Sequence, residues 1–289
     1  AVYELLMHRL FLAFYPFDML EADDARRFYA AYQSLQDGSN PLYAYMSLRY
    51  FELGLEFFFR HGYRIIFLFD EFDELLRILP VKFFQTLRGV RDLHKHQLQF
   101  VTFTRSPLPL LIERLSIDPL AIEPFAELFT DNVLYLGPYS EKDGRRMVEE
   151  LGRRRGQTHT EHVLSLLMGA TGRYAGLLRA GFNLLETLGG INMDEQSVES
   201  FASLLASKMP MRTECMTIWT SLSPSEQVVL KAVARLAPYN VTAETELAVT
   251  MLVQKKLLRL NKTQQKLEIE PPVFRAFIAE HPDQLRTGT

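Results

Sequence analysis

Arg64-Ile65-Ile66-Phe67-Leu68-Phe69-Asp70-Glu71-Phe72-Asp73-Glu74-Leu75-Leu76 is the stretch on which the fold turns. Ile65 to Phe69 form an unbroken apolar run, too short to span a membrane. Such a run fits a strand buried on both faces, as in a parallel sheet covered by helices. It stops at Asp70 and Glu71. In open parallel sheets ligands bind beyond the carboxyl ends of the strands, so two adjacent carboxylates there have a chemical use. Asp70 can hold Mg²⁺ through its water shell, and Glu71 can polarise a water for attack on a phosphate. A plainer reading competes with this one: a strand followed by an acidic helix start, where carboxylates favour the helix dipole.

Composition narrows the class. The chain has 289 residues, 47% hydrophobic and 23% charged, with a formal net charge of −3. That length implies two or three domains with ample core. There is no global basic field to point to nucleic acid. The single cysteine, Cys215, excludes an intrachain disulfide, fits a reducing cytoplasm and reads as a packed thiol. No segment reaches membrane-span length, and no signal peptide is evident.

A second apolar strand, Leu98-Gln99-Phe100-Val101-Thr102-Phe103-Thr104-Arg105, ends in a hydroxyl and a cation. Here the residues carry a resemblance. Phe67 to Glu71 resembles the Walker B strand of P-loop ATPases. Phe100 to Arg105 resembles the sensor-1 strand of the STAND branch of AAA-related ATPases, which often ends in Thr-Arg. The pair, in this order and spacing, is more specific than either half. The resemblance implies an α/β P-loop NTPase-like domain with an incomplete parallel sheet at residues 1–137. A helical lid at 138–210 and a winged-helix domain at 211–289 would follow.

Taken in order, Ala1 to Arg9 reads as a helix end and Leu10 to Tyr15 as a strand. Ala25 to Leu35 and the aromatic Leu42 to Phe59 read as helices separated by Asp37-Gly38-Ser39-Asn40-Pro41, with His61-Gly62 closing the second. Pro80 stops the segment after the Walker B-like strand, and Val81 to His94 is a further helix. Asn132 to Leu136 reads as a fourth strand, giving a parallel α/β sheet. Beyond Gly137-Pro138 the strands stop. Helices are expected from Ser140 to Arg155, Thr160 to Met168, Tyr174 to Leu188 and Asp194 to Ala206. Ser140-x-x-Asp143 resembles a capping box. Ser223, Pro224 and Glu226 form a full helix start. Glu244 to Lys256 is a second helix of that region, with the expected third shortened into Ala237 to Ala243. Two short strands, Leu257 to Leu260 and Lys266 to Ile269, flank a polar turn at Asn261 to Gln265, and Pro272 to Ala279 closes the chain.

The phosphate-cradling Gly-x-x-x-x-Gly-Lys-Ser/Thr of P-loop ATPases does not occur. The family's order of elements would place it, with the first strand, upstream of Ala1. The resemblance therefore implies a piece of a longer protein, poor or inactive as an ATPase by itself. The alternative is a rearranged sheet in which Leu98 to Thr104 pairs directly with Asn132 to Leu136.

By the resemblance, ATP and Mg²⁺ are the expected ligands. Asp70 would organise the metal, Glu71 would position or activate water, and Thr104 and Arg105 would sense the γ-phosphate. Asp73 matches an acidic position that often follows Walker B. Gly172-Arg173-Tyr174 stands where the family has Gly-x-Pro; with Tyr in place of Pro, Arg173 is the candidate phosphate-binding arginine, against a solvated arginine at a helix start. The implied function is a cytoplasmic ATP/ADP switch that self-associates on activation and serves a protein partner or effector. DNA binding of the origin-recognition or transposition-helper kind is the runner-up. Lys255, Lys256, Arg259, Lys262 and Lys266 favour it, while Glu244 and Glu246 at the start of the candidate recognition helix oppose it. A nucleotide-free scaffold is the third reading. His94-x-His96 and His159-x-x-His162 have metal-like spacing but no completing ligands nearby. Arg145-Arg146 and Arg153-Arg154-Arg155 read as a solvated face.

Overall fold

The computed structural model describes residues 2–14, 21–36, 41–188, 192–235, 237–238, 240–261 and 266–280. They are mostly helical, with two small two-stranded sheets. The chain divides into two compact units, Ala1–Val133 and Leu134–Thr289.

The first unit begins with α1 (Val2–Phe14), α2 (Ala22–Gln36) and α3 (Pro41–Arg60). The strand expected at Leu10 to Tyr15 is instead the second half of α1 as far as Phe14, and Tyr15 lies outside the described residues. Leu6, Met7 and Leu10 are buried while Leu12 is exposed. That is a helical face, and a five-residue apolar run cannot by itself distinguish helix from strand. Gly54 of α3 admits this face closely: a Cβ there would lie 2.4 Å from the Met7 sulfur. The break expected at Asp37 to Asn40 lies outside the described residues. Gly62 has φ 79° and closes α3 as expected.

Then follow β1 (Ile65–Phe69), α4 (Phe72–Ile78), α5 (Val81–Leu93), β2 (Leu98–Thr102), α6 (Leu108–Arg114) and α7 (Pro119–Ala126). β1 and β2 are parallel neighbours, Ile65 opposite Leu98 and Phe69 opposite Thr102. Burial alternates along β1, with Ile65, Phe67 and Phe69 inside and Ile66 and Leu68 exposed. The strand is therefore buried on one face, not on both, because the described helices cover a single side of the sheet. On that side an aromatic cluster forms the core. Phe72 lies 5.7 Å from Phe84 and 5.9 Å from Phe125, ring centre to ring centre, and Phe69 lies 5.8 Å from Phe100.

Residues 132–136 form no strand, and Leu134 and Leu136 are 88% and 79% exposed. Apolar composition yields a strand only where a neighbouring edge completes the ladder. Among the described residues β2 pairs with β1 alone, so neither the four-stranded sheet nor the rearranged sheet is formed.

The second unit holds α8 (Glu141–Arg155), α9 (Glu161–Thr171), α10 (Ala175–Leu185), α11 (Val198–Ala206), α12 (Met209–Thr220), α13 (Pro224–Arg235) and α14 (Ala243–Gln254). The antiparallel pair β3 (Leu258–Asn261) and β4 (Lys266–Ile269) and α15 (Pro272–Glu280) complete it. The expected caps form. Ser140 Oγ accepts the Asp143 N–H at 3.1 Å. Ser223 and Glu226 cap each other, at 3.2 Å and 2.8 Å. α12 has no counterpart in the sequence reading; Met211, Cys215 and Trp219, four residues apart, form its buried face. No helix forms among the described residues of 237–242, and residues 262–265 of the expected turn lie outside the description. One core runs from Val148 to Ile278 through this unit, so the boundary expected at 210/211 falls within it. Cys215 belongs to this core, and burial, helped by the nearby Glu214 charge, pushes its thiol up to about 12.

The two sides of the β1–β2 sheet should respond differently to substitution. Phe125→Ala is expected to cost about 3–5 kcal/mol, and Leu68→Ser to stay within about 0.5 kcal/mol. Denaturant unfolding of both variants checks this; equal losses would mean that the bare face is covered.

Candidate functional site

β1 and β2 run side by side, so their carboxyl ends lie together. Past the strands the pairing continues without strand geometry. The Phe103 N–H donates to the Phe69 carbonyl at 2.9 Å, and the Phe72 N–H donates to the Phe103 carbonyl at 3.0 Å. These bonds bring Asp70 and Glu71 beside Thr104 and Arg105, and all four are exposed. The Asp70 Oδ1 accepts the Glu71 N–H at 2.9 Å. Arg105 Nη2 stands 3.7 Å from Glu71 Oε1.

Glu71 has φ 49° and ψ 45°, in the left-handed region. For a residue with a Cβ this conformation costs about 1–2 kcal/mol. Its side chain caps nothing in α4, although it occupies the capping position. The plain reading of an acidic helix start is also met, since Asp73 and Glu74 stand in the first turn of α4. Residues held in such conformations cluster at functional sites.

Asp73, expected to face a ligand, is buried at 7% exposure. Its carboxylate accepts the Arg105 backbone N–H, with oxygens at 3.2 Å and 3.4 Å. Nothing in the side-chain order of the sequence marks this contact or the Phe103 bonds, because their donors are backbone amides.

Arg173 lies in the second unit, in the left-handed region at φ 64°. Its Nε donates to the Tyr139 carbonyl at 3.0 Å, and its own carbonyl accepts the Tyr139 N–H at 3.0 Å. The arginine is thus tied to the chain that leads into α8. Gly172 before it has φ 58°, and a Cβ there would lie 3.3 Å from Pro271. Tyr174, in the proline's place, donates its hydroxyl to the Lys255 carbonyl at 2.8 Å. Burial, with the Glu270 charge, raises the Tyr174 pKa above the usual tyrosine range.

The other candidates are held by neighbours. His162 Nε2 lies 3.1 Å from the Met193 carbonyl, and His159 meets the Phe182 ring edge-on. His94 packs on Phe59, ring centres 4.5 Å apart. Among the described residues no group of three or more His, Cys, Asp or Glu could hold a metal ion. Arg145 pairs with Glu161 at 2.5 Å. Arg154 and Arg153 both bond Glu150 and hold its carboxyl below the usual range. Around β3 and β4, Lys255 pairs with Glu226 at 2.6 Å and Arg259 with Glu268 at 2.9 Å. These pairings reduce the positive charge available to a phosphate backbone. No helix among the described residues is long and apolar enough to cross a membrane.

The strand ends present two carboxylates, a hydroxyl and a guanidinium, groups of the chemical kind that meet a hydrated metal and a phosphate. Asp70 has one oxygen not engaged by Glu71, and Arg105 presents a guanidinium fork suited to phosphate. No glycine-rich phosphate loop is present in the sequence to complete the fit. Comparison with protein families, with curated proteins and with solved structures gives no match to this chain.

The strain at Glu71 has a direct test. Glu71→Gly and Glu71→Ala both remove the carboxylate, so their difference isolates the backbone. The glycine variant is expected to be more stable than the alanine variant by about 1 kcal/mol. Guanidinium unfolding measures this, and equal stabilities would show that position 71 is not left-handed.

Proposed function

We propose that the chain is the metal- and γ-phosphate-sensing part of an ATP-dependent switch of the STAND/AAA kind. Its first unit would belong to a P-loop NTPase-like α/β domain. The observation that supports this reading is the convergence of Asp70, Glu71, Thr104 and Arg105 at the carboxyl ends of two adjacent parallel strands, with Glu71 in a strained backbone conformation. A bare scaffold has no physical need for four exposed polar groups held together in this way.

In this reading Mg²⁺ neutralises phosphate charge when bound. Asp70 would hold the hydrated metal. Glu71 orders the attacking water and takes its proton. Thr104 donates a hydroxyl hydrogen bond, and Arg105 meets charge on the terminal phosphate. The exposed 3.7 Å pair between Arg105 and Glu71 is weak, worth about 0–1 kcal/mol, so a phosphate competes easily for the arginine. Without a phosphate cradle, turnover by this chain alone is slow or absent. Self-association and an effector partner in the cytoplasm belong to the same proposal. DNA binding draws less support, because Lys255 and Arg259 of the winged-helix-like region are paired with carboxylates.

Calorimetry of the chain with ATP tests the reading. Weak binding that requires Mg²⁺ is expected, reduced about tenfold or more by Asp70→Ala, which is about 1.4 kcal/mol. Heats that are identical with and without Mg²⁺, or identical in the two proteins, would remove it.

A further inference from the structure

We infer that Asp73 is a positioning residue: it holds the backbone of Arg105 in place and does not itself touch the ligand. This inference rests on the nucleotide reading above and goes further in assigning how the arginine is aimed. Buried carboxylates are costly unless they are hydrogen-bonded, and Asp73 is one of four buried polar or charged side chains among the described residues. Two of the other three make local bonds, and the third pairs with a lysine side chain 29 residues on. Thr171 bonds the Leu167 carbonyl, Glu226 pairs with Lys255, and Gln227 donates to the Trp219 carbonyl. Asp73 alone of the four accepts a backbone N–H from a distant segment, that of Arg105, 32 residues on.

The geometry explains what that contact does. The chain leaving β2 is fixed at Phe103 by its two backbone bonds to Phe69 and Phe72. Two residues later it is fixed again at the Arg105 N–H by Asp73. Between and beyond these anchors project the exposed Thr104 and Arg105 side chains. Without the second anchor the peptide at Thr104–Arg105 could rotate, and the root of the guanidinium would move with it. Small displacements of a positioned group are costly to recognition and rate. The Asp73 carboxylate itself is buried behind this loop, where it is not presented to solvent.

The variants Asp73→Ala, Asp73→Asn and Arg105→Ala, with the double variant Asp73→Ala/Arg105→Ala, separate the possibilities. Two readouts are needed: hydrogen exchange of the Arg105 amide by NMR, and titration with Mg²⁺-ATP and with ADP. Asparagine keeps an acceptor oxygen, so D73N should leave the amide slow and ATP affinity within about threefold of wild type. D73A should speed exchange by about tenfold or more, as expected for loss of one hydrogen bond to a charged group. It should also weaken ATP to about the level of R105A, with little further loss in the double variant and little change for ADP.

A carboxylate that contacts metal or phosphate directly would make D73N lose ATP affinity while its Arg105 amide stays slow, and that result overturns the inference. So does an Arg105 amide that exchanges equally fast in wild type and D73A. If D73A does not fold, the D73N comparison decides alone. If the wild type binds no ATP, the nucleotide reading fails and the phosphate part of this inference fails with it, whereas amide exchange still decides whether Asp73 holds Arg105.

Discussion

The parallel register that sets Phe69 opposite Thr102 is the constraint on which the candidate site depends. It brings two chain segments, more than thirty residues apart, to the same end of one sheet. The Phe103 bonds extend that register past the last ladder pair, and the Asp73 bond extends it further. A slip of one residue would send Phe67 and Phe69 to the open face and Ile66 and Leu68 inward. It would also break every one of those bonds. The aromatic cluster of Phe69, Phe72, Phe84, Phe100 and Phe125 resists such a slip, because buried rings of this size carry a large share of core energetics.

Magnitudes decide what holds the polar groups in place. The Glu71 and Arg105 side chains are 69% and 61% exposed, and a surface ion pair contributes about 0–1 kcal/mol. The left-handed backbone at Glu71 costs about as much or more. The ion pair is therefore not what holds the site together. The backbone hydrogen bonds and the packing of Phe72, which directly follows Glu71 and is fully buried, offset the strain. The carboxylate and the guanidinium are then free to exchange partners without loss of fold.

In the second unit the order of forces is similar. One continuous core joins α9, α10 and α11 to α13, α14 and α15. The pair of buried Glu226 and half-buried Lys255 sits beside it, the Glu226 side chain 4% exposed. Such a pair adds little net stability over an apolar replacement, yet removing one partner strands a charge. It fixes which ends meet: the start of α13, the end of α14 and, through the Tyr174 hydroxyl on the Lys255 carbonyl, the start of α10.

Some of this was legible in the chain itself. The run Ile65 to Phe69, ended by Asp70, could be read as a strand with acids at its tip, and β1 occupies those residues. Ser140, Ser223 and Pro224 determined where helices start, because caps are local chemistry. Leu10 to Phe14 and residues 132–136 were misleading for one reason: a short apolar run takes the form its neighbours allow. α1 found a helical face against α3, whereas 132–136 has no ladder partner among the described residues. The identities of Asp70, Glu71, Thr104 and Arg105 could be read in sequence, but their meeting depends on the β1–β2 register. The left-handed Glu71 and the burial of Asp73 against a backbone amide belong to tertiary structure alone. Both arise from backbone geometry, which carries no side-chain letter, and only packing decides it.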